Sequence, residues 1–332
     1  MTNLKIPISV LNIVPLKQGQ TPKDALDSMV ELAQLTEQLG FKRYWLSEHH
    51  NIPNVMSTAT TNLMQHVLAN TKNILVGAGG IMLPNHSPLV IAEQIGTLEQ
   101  LYPGRVALGL GRAPGTDSRT VMALRRNREN SVNTFPDEVR ELMSYFKHDG
   151  RQHVEAIPAT GTEVPMYILG SSSSSALLAA ELGLPYAFAS HFTAVHLKDA
   201  VHLYRKHFKP SQYLSKPYVI TGINIIAADS MDEAKKLFTS FFQSTIGILQ
   251  NQYKPLIPPF ENLDVIYSKE VQRQVLTAMG ITLVGDQNYL KEELQRFTAD
   301  FQPDELMMVS YIYDSEKQIR SFEIVKDILD NY

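Results

Sequence analysis

Short apolar runs and stretches with apolar residues at helical spacing take turns along this chain. Ile6 to Val14 is the first apolar run, and Asp24 to Leu39 then places Leu32, Leu35 and Leu39 near one helical face. Thr21-Pro22 has the residue types of an N-cap and a first helical position, and Gly40 those of a C-terminal stop. Arg43 to Ser47 reads as a second strand, Ser57 to Asn70 as a second helix and Ile74 to Ile81 as a third strand. Pro88 to Leu101 is helical, Pro103-Gly104 a turn, and Arg105 to Gly111 a fourth strand. These strands begin about every 30 residues, the size of one βαβ unit. The rhythm resumes with strands at Pro165 to Leu169, Tyr186 to Ser190, Tyr218 to Ala227 and Glu305 to Ile312. Ser172 to Leu182 is the helix after the fifth strand, and a last helix starts at Ser315. Eight strand–helix pairs predict one α/β domain over residues 1–332, a closed TIM (β/α)8 barrel, with an open doubly wound sheet as the alternative.

Two segments interrupt the rhythm and read as insertions after strands four and seven. Asp149 to Val164 is polar and irregular; Asn251 to Lys269 carries Pro255, Pro258 and Pro259. A stretch as long as the second, on the face where barrels place their active sites, is expected as a lid or a disordered segment. Neither has the composition of a linker between domains.

Composition narrows the classes. The 44% hydrophobic content supports a large core, and a net charge of -4, from 34 acidic and 30 basic side chains, has no footprint of a nucleic-acid or anionic-membrane partner. With no cysteine, disulfides, thiolate zinc sites and cysteine nucleophiles are excluded. No apolar stretch approaches the roughly 20 residues of a membrane span, and Met1 to Lys5 lacks the pattern of a signal peptide. A cytoplasmic protein is expected.

The chemically useful residues fall at the C-terminal ends of the predicted strands, where βα loops build barrel active sites. Strand two ends in Ser47-Glu48-His49-His50, strand three in Gly77 to Gly80, and strand four in Gly109 to Gly115. Strand five ends in Gly170 and Ser171 to Ser175, strand six in Ser190-His191, and strand one near Asn12. The serine run opens an apolar helix, so its N–H groups, hydroxyls and the helix dipole suit a phosphate; the alternative is a plain serine N-cap. Arg112 has the planar fork of a phosphate clamp, the alternative being a structural ion pair. Gly109-Leu110-Gly111 is no dinucleotide fingerprint, because Pro114 stands where the third glycine belongs. His49 and His50 are adjacent and on a strand would face opposite ways, which argues against a shared metal site and leaves one of them for the barrel mouth. Gly79-Gly80 lets a ligand approach the main chain closely, or makes a tight turn. Arg119, Arg125, Arg126 and Arg128 read as a solvated or subunit-contact helix face.

Taken in order, Trp45 to His50, Gly79 to Pro84, Pro103-Gly104-Arg105 and Gly109 to Gly115 resemble the motif series of bacterial-luciferase-like flavin monooxygenases. The resemblance runs from about Ile6 to Ile328 and is especially close to a branch similar to alkanal monooxygenase alpha chains. It implies a TIM barrel, a non-prolyl cis peptide at Gly79-Gly80 beneath a flavin ring, and phosphate contacts from Arg112 and Ser171-Ser172-Ser173. His49 matches the histidine near the flavin's reactive carbon, and Ser190 or His191 would approach the ring or the substrate. Gly111 stands where true luciferases have a cysteine, and a serine replaces the glutamate of their phosphate loop, so light emission and long-chain aldehydes are not implied.

The function so implied is an FMN-dependent two-component monooxygenase. FMNH2 from a separate NAD(P)H:flavin reductase would react with O2 at flavin C4a, and the resulting hydroperoxide would oxidise a small organic substrate such as an aldehyde or ketone. His49 would manage protons, the 251–269 loop would close over the site, and the protein would form a homodimer. The alternatives are an F420-dependent hydride-transfer enzyme on the same fold, a flavin-binding protein without turnover, and a barrel that binds a sugar phosphate.

Overall fold

The computed structural model describes residues 6–124, 131–147 and 153–331. Nine parallel strands form the sheet: β1 (Ile8–Asn12), β2 (Arg43–Leu46), β3 (Leu75–Met82), β4 (Val106–Gly111), β5 (Met166–Gly170), β6 (Tyr186–Phe188), β7 (Val219–Ala227), β8 (Thr282–Gly285) and β9 (Glu305–Val309). The first seven pair in succession, β7 pairs with β9, and β9 returns to β1 through Ile8↔Leu306 to Val10↔Met308. The sheet therefore closes into an eight-stranded TIM barrel, and the open-sheet alternative falls.

The ninth strand is a departure from the sequence pattern. Asn224 on β7 pairs with Val309 of β9 on one side and with Thr282 of β8 on the other. β6 uses the latter flank lower down, at Val219 to Thr221, and the Ile281 amide donates to the Ser190 carbonyl at 2.7 Å. β8 thus stands above β6 along the same edge of β7. The last predicted strand is β9 in chain order, and it ends at Val309, short of Ile312.

Helices wrap the barrel. The first is α1 (Pro22–Gln38), where the expected cap is present: Thr21 Oγ1 accepts from the Asp24 amide at 3.3 Å, and Asp24 Oδ2 accepts from the Thr21 amide at 2.8 Å. Gly40 leaves the helix at φ +73°, a conformation that glycine adopts freely. Next come α2 (Thr60–Asn70), α3 (Pro88–Leu101), α4 (Ser118–Leu124), α5 (Ser131–Tyr145), α6 (Ser173–Leu182) and α7 (Leu197–His207). The insertion after β7 holds α8 (Met231–Leu249), α9 (Leu263–Ile266), α10 (Lys269–Ala278) and β8, followed by α11 (Gln287–Phe301) and α12 (Ser315–Asp330). Arg119 is exposed on α4, whereas Arg125, Arg126 and Arg128, and residues 149–152 of the expected insertion after β4, lie outside the described residues.

The 251–269 segment is a strap rather than a free loop. Leu256 exchanges backbone hydrogen bonds with Leu16 and Gln18, both 2.8 Å, and Asn54 Nδ2 donates to the Lys254 carbonyl at 2.7 Å. These bonds pin it to the loops after β1 and β2, beside the barrel mouth.

Two apolar layers result from strand alternation. Outward residues such as Ile8, Val10, Tyr44, Val76, Leu108 and Ile168 pack under the helices. Inward, Trp45 meets Tyr167 edge-to-face at 5.1 Å, with Leu11, Ala107, Ala187 and Met307 around them. Glycines on the neighbouring strands make room, since a Cβ on Gly77 would stand 2.4 Å from Trp45 Cε3. No helix among the described residues is long and apolar enough to cross a membrane.

Candidate active site

Above Trp45 the barrel opens into a cavity with about 1050 Å³ of empty space, part of it continuous with solvent. His49, Gly79, Arg112, Ser171, Ser172 and His191 line it, so residues from five strand ends meet as the motif positions predict. Its walls also include Leu11, Leu169, Phe188, Phe192, Ile220 and Met307. The 251–269 segment contributes none of the lining.

One end of the cavity is built for an anion. Ser172 is the N-cap of α6, where its hydroxyl and that of Ser175 exchange capping bonds with each other's backbone amides. Ser172 Oγ lies 2.9 Å from Ser174 Oγ, and Arg112 Nη1 donates to Ser174 Oγ at 3.3 Å. Arg112 has no carboxylate partner among the described residues, so its fork remains open to a ligand. Ser175, the last of the serine run, also lines the cavity, although the family resemblance implied contacts from Ser171, Ser172 and Ser173 alone. Ser173, the first residue of α6, stands outside the lining.

Two histidines also line the cavity. His49 follows β2 in irregular chain, anchored by its amide to the Ser57 carbonyl at 2.9 Å. Burial holds its imidazole below the usual value, although the Gly115 backbone and the Glu48 carboxylate pull the other way. The ring is therefore neutral at pH 7. His191 is fully buried, and burial, with His49 adding to it, pushes its pKa down to about 3. Neither of its ring nitrogens has a hydrogen-bond partner among the described residues. The ring stacks at a tilt on Phe192, 4.3 Å between centroids, and occupies the space where any side chain at Gly222 would go. Ser190, expected at the ligand, turns away: its buried hydroxyl donates to the Gly222 carbonyl at 2.5 Å. The reason is that β6 ends at Phe188, so Ser190 and His191 lie beyond the strand and only His191 faces the cavity.

The Gly79–Gly80 peptide is cis. Gly79 faces the cavity; Gly80 lies below, where a Cβ would stand 2.3 Å from Leu169 Cδ1 and 2.7 Å from the Gly109 carbonyl oxygen.

Beside the cavity, Glu48 is completely buried. Its Oε1 accepts from His50 Nε2 at 2.9 Å, His86 Nε2 at 2.8 Å and Asn85 Nδ2 at 3.1 Å, while its Oε2 accepts from the Met82 amide at 3.0 Å. Burial would raise its pKa, yet these bonds and the nearby His86 bring it to about 2. Glu48, His50 and His86 are close enough to hold a cation. However, the oxygen that would bind it already receives three N–H donors. Asn85 and His86 were not picked out from the sequence, and their place three and four residues past β3 was the available signal. A larger groove, between α8 and residues 258–264, is lined by charges of both signs and lies apart from these residues.

The luciferase-like monooxygenase profile matches residues 8–320 of the chain. This protein belongs to that family. A luciferase-like monooxygenase of Escherichia coli K12 is 46% identical over 99% of this chain and 98% of its own length. Among solved structures, apo-MsnO8 superposes with a TM-score of 0.88 at 28% identity, covering 98% of both chains. The FMN-bound oxygenating constituent of 3,6-diketocamphane monooxygenase from Pseudomonas putida, a type II Baeyer–Villiger monooxygenase, has a TM-score of 0.74 at 17% identity. It covers 98% of both chains and shares the fold.

Proposed function

We propose that this luciferase-like monooxygenase binds FMNH2, delivered by a separate NAD(P)H:flavin reductase, and oxidises a small organic substrate such as an aldehyde or ketone with O2. The observation that carries the reading is one cavity lined by an open arginine, a helix N-terminus and a buried, unpartnered histidine. A flavin mononucleotide fits that lining. Its phosphate takes the Arg112–serine end, and a polar edge of its ring satisfies a nitrogen of His191, which otherwise stays desolvated without a bond. Gly79 leaves the floor free of side chain. The FMN held by the Pseudomonas enzyme on the same fold agrees with this assignment.

The reduced cofactor, when bound, supplies two electrons, so that one oxygen atom of O2 enters the product and the other leaves as water. The chain's own residues position and protect. Arg112 and the serine turn bind the phosphate, while Leu11, Leu169, Ile220 and Met307 exclude water from the ring. His49, which burial keeps neutral, lines the cavity and is suited to accept or return a proton.

Anaerobic titration with FMNH2, followed by rapid mixing with oxygenated buffer, tests the reading. Saturable binding, reoxidation at a rate distinct from free flavin, and oxygenated product from an aldehyde or ketone panel are expected. Reoxidation at the free-flavin rate with no product would leave a passive flavin binder. Binding of F420 in place of FMN would replace the cofactor.

A further inference from the structure

Glu48 and Asn85 do more than fill the wall beside the cavity. Asn85 Nδ2 donates to Glu48 Oε1 at 3.1 Å and also to the Pro114 carbonyl at 2.9 Å. One buried amide thus joins the loops after β2, β3 and β4. The same loops are sewn together again where Thr116 Oγ1 donates to the His50 carbonyl at 2.8 Å and Asn51 Nδ2 to Asp117 at 3.1 Å. Gly115 fits so tightly that a Cβ there would stand 2.8 Å from the Glu48 carbonyl oxygen and 3.7 Å from His49 Nδ1. The loop from 112 to 117 therefore carries Arg112 at its start and touches His49 at its middle, and Asn85 is its fixed point between the two. Asn85 Oδ1 is buried with no partner among the described residues, so the side chain keeps this orientation for its donor bonds alone. Surface attachment does not require a buried carboxylate with four donors.

Resting on the flavin reading above, we infer that Glu48 and Asn85 are positioning residues that set Arg112 against the ligand's phosphate. The brace acts through Pro114, two residues from Arg112, and touches no ligand itself. Its loss lets the arginine fork drift from a geometry in which a charge-assisted, bidentate contact is worth most. Arg112 serves the phosphate, so the loss falls more heavily on FMN than on riboflavin.

The test is the ratio of dissociation constants for riboflavin and FMN, measured by fluorescence titration on wild type, Asn85→Ala, Glu48→Gln, Arg112→Ala and the Asn85→Ala/Arg112→Ala pair. Circular dichroism and melting establish which variants fold, and Asn85→Ala, which leaves Glu48 three of its donors, is the gentler change. In wild type FMN binds more tightly. The preference is expected to fall about tenfold in Asn85→Ala and Glu48→Gln, the worth of one degraded charge-assisted contact. The double variant should be no worse than Arg112→Ala alone. Equal weakening of both flavins, an unchanged ratio, or a double variant that adds the two losses would overturn the brace. Wild type that binds no flavin would overturn the flavin reading and take the brace with it.

Discussion

At the scale of single residues, the site is defined by two imidazoles that burial keeps uncharged. His191 has its pKa lowered from 6.5 to about 3, so the unfolded chain binds a proton there that the folded chain refuses. Its contribution to stability is complete above about pH 6.5 and is lost progressively as pH falls toward 3. Glu48 has the opposite origin but a lower window: its pKa of about 2, against 4.5, means stability present above 4.5 and lost as pH falls toward 2. Between pH 7 and 5.5 the histidine therefore dominates, and His191→Gln should flatten the fall in melting temperature over that range. An unaltered pH dependence would show that His191 becomes charged in the fold without cost. His49 is the proton carrier of the proposed reaction. His49→Ala should still bind FMN but lower product formation roughly a hundredfold, as removal of a general acid–base group does. Normal turnover in that variant would remove His49 from the chemistry. The sequence motifs located both histidines. They did not reveal that His191 would be unpartnered or that Ser190 would turn away, because the direction of each side chain depends on where β6 stops.

At the scale of elements, caps and glycines were legible and the short strand was not. Thr21, Pro22 and Gly40 act locally, and a cap is recognisable from three or four residues. β8 has four residues, three of them only half-buried, between two helices, and its pairing is with the upper part of β7. Nine consecutive buried residues on β7 read as one strand; that its two halves serve different neighbours depends on the partner elements alone. The insertion after β7 was expected as a lid or a disordered segment, but Leu256 and Lys254 are tied down by residues 200 or more positions earlier, which no local pattern reports. β3 illustrates the packing side. Gly77→Ala drives a methyl group into the Trp45 indole, 2.4 Å from Cε3 and 2.5 Å from Cζ3, and the indole is held by Tyr167. The expected loss is about 1–3 kcal/mol, the usual cost of overpacking, read from the midpoint of urea unfolding. An unchanged midpoint would mean that the Trp45 layer can shift.

At the scale of the whole molecule, the barrel closes over a buried polar knot on the face opposite the cavity mouth. Glu305 on β9 accepts from Ser9 on β1, Arg43 on β2 and Tyr218 just before β7, and Lys42 Nζ lies 3.4 Å from it. These residues span the seam where the last strand meets the first, and Arg43 also stacks 5.1 Å from Tyr167. Glu305→Ala leaves the Arg43 guanidinium buried without its carboxylate, and about 3–5 kcal/mol of stability should be lost. FMN affinity of the folded fraction should not change, since the knot lies below Trp45 and the cavity above it. A loss of affinity with intact stability would tie the barrel floor to the mouth.

The sequence by itself determined the strand–helix alternation, the helix caps, and the fact that the reactive residue types gather at strand ends, because these are local or periodic properties of the chain. Tertiary structure alone decided three things: the closure of the sheet by β9 against β1, the second partner of β7, and which of the predicted site residues face the cavity. It also assembled Glu48, Asn85 and Pro114 into one brace. Each of these requires groups far apart in sequence to compete for the same hydrogen bonds and the same space, and that competition is resolved only when the barrel is closed.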